Sequence, residues 1–227
     1  MAERKIGMVL FDGFTAQDFI GPYEVFSRVP GWKIAIIAKM KGLIEAEGGL
    51  KIAATDSISE DPEMDILFLP GGSGINDLLK DSSFLEFIRG KGIRAEYVTS
   101  VCTGSLVLAA AGLLDGFRAT SHWRSLPLLK LFGVDVSADR VVADRNRVTG
   151  GGVTAGIDFA LYLVCLLEGE ILARQIELGL EYNPAPPLRC GHPDIADRQT
   201  IEREISRTSG IYKERERIIR GLISRGK

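Results

Sequence analysis

Continuous apolar runs, most of which lead into a helical pattern, constrain this chain more than any other feature. Residues 6–10, 33–38, 65–69 and 96–101 are such runs. A strand with one wet face alternates polar and apolar residues; a strand without that alternation is buried on both faces. Helical patterns follow at about residues 15–28, 76–89 (two pieces, with a break near Ser82) and 103–111. Strands alternating with helices build a parallel sheet covered on both faces, so the expected class is α/β. Ligands in such sheets sit outside the carboxyl ends of the strands. Leu10, Pro70-Gly71-Gly72 and Cys102 all follow ends of that kind.

The rest of the chain agrees with this frame. Residues 42–51 read as a hairpin-like excursion around Gly48-Gly49. A short strand is expected at 118–121 and a helix at 123–132, where Pro127 restricts the start. Residues 141–149 read as a hairpin around Asp144-Arg145-Asn146. Gly150-Gly151-Gly152 then opens an apolar helix over 155–167, with another at 170–182. The prolines of 183–187 exclude regular helix or central strand. A charged helix over 202–224 is expected to break near Gly210. No repeat or long linker divides the 227 residues, so residues 1–227 are expected to form a single domain.

Composition narrows the function classes. With 45% hydrophobic residues a sizeable core is available. A net charge of -2 with mixed signs leaves no basic footprint for nucleic acid. No apolar run reaches membrane-spanning length, and Met1-Ala2-Glu3-Arg4-Lys5 leads straight into a strand without a signal peptide. Three cysteines without C-x-x-C spacing point to reduced thiols in a cytoplasmic setting. With two histidines, no metal and no other cofactor is expected.

The residues that carry chemistry gather around one cysteine. Tyr97-Val98-Thr99-Ser100-Val101 stops at Cys102, and small residues then open a helix. This is the strand-turn-helix pattern of a nucleophile elbow. A thiol at a helix N-terminus is expected to ionise easily, because unpaired N–H groups and the helix dipole favour the thiolate. A buried free cysteine is the plainer reading in general, but its place at the bend favours a nucleophile. Cys165 lies in an apolar run and is expected in the core; Cys190 sits in a polar, proline-rich loop. Thr103 is either an ordinary helix-start residue or a donor to substrate, through its N–H or its hydroxyl. Gly71 and Gly72 are a tight turn that also offers N–H groups to offset negative charge. Asp18 is either the capping-box acid of a helix that Thr15 caps, or an acid/base beside the thiol. A carboxyl crowded against a thiolate tends to keep its proton. Glu24, beyond Pro22, is a rival whose spacing suits another helix face. His122 is either an imidazole partner for the thiol or a packing residue beside Trp123, and His192 reads as structural. Gly150–Gly152 lack the lysine of a phosphate loop and read as close backbone approach to the site.

Four blocks together resemble a known group. They are Phe11-Asp12-Gly13-Phe14-Thr15-Ala16-Gln17-Asp18-Phe19-Ile20-Gly21-Pro22-Tyr23-Glu24-Val25-Phe26, Leu69-Pro70-Gly71-Gly72, Ser100-Val101-Cys102-Thr103-Gly104 and Ala119-Thr120-Ser121-His122-Trp123. The chain resembles the ThiJ/PfpI superfamily, and within it the isonitrile hydratase group; the tail Glu181-Tyr182-Asn183-Pro184-Ala185-Pro186-Pro187 shares in the likeness. The resemblance implies a class I glutamine amidotransferase-like, flavodoxin-like three-layer sandwich. It implies Cys102 as nucleophile, Asp18 as acid/base, Thr103 as needed for activity, and a homodimer. Protease-like and glyoxalase-like relatives usually place a glutamate near the thiol, where this chain offers Asp18. The isonitrile hydratase pattern gives His122 no assigned catalytic role. Sensor halves of AraC-type regulators share the blocks but carry an added helix-turn-helix module, which the final helices are too short to supply.

The expectation is a cofactor-free lyase that hydrates a small-molecule isonitrile to an N-substituted formamide. It proceeds through a thioimidate on Cys102, with Asp18 moving protons and the N–H groups near Gly72 and Thr103 offsetting charge. The alternatives are a glyoxalase-like or hydrolytic thiol enzyme, or a redox-sensing, non-catalytic member. Neither nucleic acid nor a membrane is an expected partner.

Overall fold

The computed structural model describes residues 3–225. Met1 and Ala2, part of the leaderless start expected above, and Gly226 and Lys227, the end of the expected domain, lie outside the described residues. Strand β1 (Arg4–Val9) leads through α1 (Ala16–Phe26) to β2 (Trp32–Ala38). A hairpin of β3 (Gly42–Glu45) and β4 (Lys51–Ala54) precedes the two-residue β5 (Asp56–Ser57). Then come β6 (Ile66–Leu69), α2 (Ile75–Leu78), α3 (Ser82–Arg94), β7 (Tyr97–Val101) and α4 (Gly104–Ala110). Next are β8 (Arg118–Ala119), α5 (Leu126–Leu131), β9 (Asp135–Val136), and the hairpin β10 (Val141–Asp144) with β11 (Arg147–Gly150). Helices α6 (Ala155–Glu168), α7 (Glu170–Gly179), α8 (Arg198–Arg207) and α9 (Ser209–Arg225) follow.

The main sheet runs β10-β11-β7-β6-β1-β2-β5. Its neighbours are parallel except β10, which pairs antiparallel with β11. The chain moves one way from β1 to β2 and the other way from β6 to β7. Right-handed crossovers therefore put α1 and α3 on opposite faces of the sheet. Between β1 and β6 the strand order reverses, and a crevice opens there at the carboxyl ends. This is the α/β arrangement that the alternating pattern implies, in the flavodoxin-like form that the resemblance implies.

Packing fixes the site's scaffold. All four residues of β6 are buried, in keeping with a strand covered on both faces. Phe26, Phe68 and Phe159 tie α1, β6 and α6 together, with ring centroids 5.8–6.2 Å apart. Small residues let α1 and α6 approach closely: a side chain at Gly156 would meet Pro22 Cδ at 3.1 Å, and one at Gly21 would meet Ile157 Cγ1 at 3.1 Å. Pro22 lies inside α1 and donates no hydrogen bond to the turn that holds Asp18. This crossing anchors the helix that carries Asp18.

Three expectations need correction. Cys165 is exposed, because it points away from the α6 face that buries Leu163 and Val164. The last helical region breaks at Thr208, not Gly210, and Gly210 is helical within α9. Thr15 makes no side-chain cap; its hydroxyl donates to Glu47 Oε2 at 3.1 Å, and Asp18 takes no part in a capping box. Among the described residues no helix is long and apolar enough to cross a membrane.

Candidate active site

The strand β7 ends at Cys102, whose φ of 54° is a left-handed conformation that costs a non-glycine residue about 1 kcal/mol. The surroundings impose it. The Cys102 N–H donates to the carbonyls of Gly150 (3.1 Å) and Gly151 (2.8 Å). Its carbonyl accepts the hydroxyls of Ser121 (2.9 Å) and Ser105 (3.2 Å). Gly104 opens α4 pressed against the end of the neighbouring strand β6: a Cβ there would lie 2.4 Å from the Leu69 carbonyl oxygen. Such a bend lifts the thiol out of the sheet toward the crevice.

Asp18 reaches that thiol from α1. It is fully buried, and its Oδ2 accepts the Gly71 N–H at 2.9 Å. Its Oδ1 is buried, and no N–H or O–H reaches it. The Cys102 thiol lies close enough to this carboxyl that each group shifts the other's titration, though no hydrogen bond of ordinary geometry joins them at rest. Catalytic hydrogen bonds often tighten only once substrate is bound. Burial pushes Asp18 up to about 7; the Gly71 N–H and the thiol pull it down, and Glu47 pushes it further up. The expectation of an easily ionised thiol is corrected here. Burial holds Cys102 well above the usual thiol value, and the Asp18 charge adds to that. The Thr103 N–H and the more distant Arg215 act in the opposite direction and lose. Removing the sulfur from water costs more than one helix end returns.

The expected glycine donors are already engaged. The Gly71 N–H serves Asp18, and the Gly72 N–H donates to Thr103 Oγ1 at 3.0 Å. The Thr103 hydroxyl is thereby tied to the Gly72 backbone and is not free for substrate, whereas its N–H faces the sulfur. His122 Nδ1 accepts the Arg124 N–H at 3.2 Å, and burial lowers the tendency of the ring to take a proton. Glu24 pairs with Arg28 at 3.1 Å on the surface, away from the thiol. Among the described residues, no group of three or more His, Cys, Asp or Glu side chains could hold a metal ion.

A cavity of about 170 Å³ lies over the sulfur, and helices α8 and α9 line it as well as the sheet loops. Glu47, from the β3–β4 turn, accepts the Thr15 hydroxyl and the Ser73 N–H at 2.5 Å. Arg215 of α9, only 6% exposed, donates to the Gly72 carbonyl at 3.0 Å and to Asn76 Oδ1 at 2.7 Å.

The sequence pattern of the DJ-1/PfpI family matches residues 4–166 of this chain. The chain belongs to the DJ-1/PfpI family. An isonitrile hydratase of Pseudomonas putida is 42% identical over 94% of this chain and 94% of its own. A solved ThiJ/PfpI family protein of Pseudomonas syringae superposes with a TM-score of 0.93 at 38% identity, over 96% of this chain and 91% of that one. The transcriptional regulator GbdR of Pseudomonas aeruginosa is 28% identical over 76% of this chain but only 49% of its own length. The DJ-1/PfpI match ends within α6, so Arg215 and the rest of the α8–α9 wall lie beyond it.

Sequence reasoning missed Glu47, Ser121, Arg124 and Arg215. Arg215 had a signal: with Ile211, Ile218, Ile219 and Leu222 it continues an apolar helical stripe, where a cation is out of place. Glu47 had none, because a turn acid reads as solvated.

Gly71 offers a direct test of this packing. A Cβ there would lie 2.6 Å from both Thr103 N and Thr103 Oγ1, and 2.8 Å from Asp18 Oδ2. Gly71→Ala is expected to displace Asp18 or Thr103, with a stability loss of about 1–3 kcal/mol. Urea unfolding checks the stability. An Asp18 titration that stays near 7 in the variant, followed by carboxyl infrared bands, would show the acid undisturbed.

Proposed function

We propose that this protein is a hydratase of isonitriles, a lyase that yields N-substituted formamides. One observation carries the reading: a fully buried carboxyl with an unpaired oxygen lies against a buried thiol at a nucleophile elbow. The P. putida relative supports it by its similarity along almost the whole chain.

The resting site holds a neutral thiol beside Asp18. As the Cys102 sulfur attacks the terminal carbon, Asp18 takes the thiol proton and passes it to that same carbon. The C–S and C–H bonds so formed make a thioimidate. Asp18, again a carboxylate, then takes one proton from water, whose oxygen adds to the thioimidate carbon, and hands that proton to the nitrogen; the hydroxyl proton of the adduct is the one that returns to sulfur. The C–S bond breaks, the sulfur recovers its proton, and the formamide leaves. Atoms balance as isonitrile plus water, with side chains alone moving the protons. The Thr103 N–H offsets charge on the sulfur.

Two other readings fare worse. A redox sensor needs an accessible thiolate, whereas burial keeps this thiol protonated. A glyoxalase-like enzyme shares the scaffold, so the assay must separate it. Purified protein given cyclohexyl isonitrile and, separately, methylglyoxal should produce N-cyclohexylformamide by proton NMR and leave methylglyoxal untouched. Turnover of methylglyoxal alone would overturn the proposal.

We also propose a cytoplasmic homodimer acting on small molecules rather than on nucleic acid or a membrane. Exposed apolar residues on α6 and α7, among them Tyr162, Leu166, Ile171 and Leu178, support a self-contact. Sedimentation equilibrium should give twice the chain mass; a single-chain mass at micromolar concentration would end that part of the proposal.

A further inference from the structure

We infer that the cavity over Cys102 takes a substrate bearing a carboxylate, held by the guanidinium groups of Arg124 and Arg215. For the reacting end this rests on the isonitrile reading; for the anionic end it does not.

The charges around the cavity divide into satisfied and unsatisfied groups. Arg207 clasps Glu204 through two bonds, Nε to Oε2 at 2.7 Å and Nη2 to Oε1 at 2.6 Å. Glu47 accepts a hydroxyl and an N–H. The two carboxylates in the wall are therefore occupied. The two remaining guanidinium groups have no such partner: among the described residues no carboxylate lies within ion-pair distance of Arg124 or Arg215.

Each of the two is fixed in place. Arg215 is held through Nε and Nη2, which leaves Nη1 without a partner. The negative groups that act on its charge are Cys102, when ionised, and Glu47. Arg124 stacks on Tyr212, with its guanidinium carbon 3.8 Å from the ring centroid. Its Nε is buried without any acceptor. The buried Arg215 cation without an ion-pair partner is costly, and the buried Nε–H of the half-buried Arg124 without an acceptor is uncommon. A neutral side chain could hold Gly72 and Asn76 without the charge. The pair of cations is thus explained by an anion that arrives with the substrate. A carboxylate satisfies both, because its two oxygens match the planar forks of guanidinium groups.

Size limits the rest of the molecule. A cavity of roughly 150 Å³ accommodates benzene, so the present 170 Å³ suits a short chain between the reacting carbon and the carboxylate. Val153 and Ile211 supply apolar wall for that chain.

The experiment compares 3-isocyanopropanoate with its methyl ester, which differ only in charge and one methyl group. The wild-type kcat/KM should favour the carboxylate by about 10- to 100-fold, the span of a hydrogen bond to a charged group. Arg124→Gln should cut that preference about tenfold, and Arg124→Lys should restore part of it. Arg215→Gln loosens Gly72 as well, so it is judged on the ratio of the two substrates and not on rate. Calorimetry with N-formyl-β-alanine and its methyl ester supplies a readout free of turnover. A wild-type ratio near one, or a ratio that Arg124→Gln leaves unmoved in folded protein, overturns the inference while the hydratase reading stands. If neither isonitrile is hydrated, the hydratase reading fails and calorimetry decides: tighter binding of the acid, weakened in Arg124→Gln, upholds the anion site, and equal binding removes it.

Discussion

Cys102→Ala is expected to bring isonitrile hydration down to the uncatalysed rate, a loss of about 10⁴-fold or more. No other sulfur is placed to substitute, because Cys165 and Cys190 are both exposed on the surface. The bend itself should survive. Its N–H and carbonyl are held by Gly150, Gly151, Ser105 and Ser121, and none of these bonds uses the side chain. Alanine meets the same left-handed conformation that cysteine tolerates. The melting temperature should therefore move by only a few degrees while turnover disappears. An active alanine variant would remove the thioimidate from the mechanism and leave Asp18 to activate water alone.

Asp18→Asn is expected to reduce kcat by about 10²- to 10⁴-fold, the usual worth of a positioned acid/base. Asparagine keeps an acceptor for the Gly71 N–H but cannot carry the proton between sulfur and carbon. In the wild type, kcat/KM should rise with pH through about 7, as Asp18 gains the charge that lets it accept the thiol proton. The thiol and the acid titrate as a pair, so that midpoint belongs to both. Stability should move the opposite way. Burial lifts the folded pKa from 3.8 to about 7. Below 3.8 the carboxyl is protonated folded or unfolded; between 3.8 and about 7 only the folded state keeps the proton. Rising pH therefore removes stability across that window, by an amount on the order of 4 kcal/mol at the upper limit. Asp18→Asn lacks this slope and should gain on the wild type between pH 5 and pH 8 in urea unfolding. A constant difference between the two proteins across that range would show that Asp18 titrates in the folded state as it does in water.

Much of the scaffold is legible without coordinates because its signals are local. The buried strands ending at Val9, Leu69 and Val101 show as apolar runs, and the break between α2 and α3 falls where it was expected. Other features answer to distant parts of the chain. Cys165 sits in an apolar run, yet it points outward because only one face of α6 packs on the sheet. Gly71 and Gly72 read as donors waiting for a substrate, but Asp18 and Thr103, 53 and 31 residues away, had already taken their N–H groups.

The order of residues alone determined a parallel sheet with Cys102 at its central bend and put Asp18 on the first helix, since strand, turn and helix are each decided within a dozen neighbours. Only the folded chain decided the protonation of that thiol and acid. Their charge depends on lost water and on groups brought from Gly71, Glu47 and Arg215, and burial is a property of the assembled molecule that no short stretch contains.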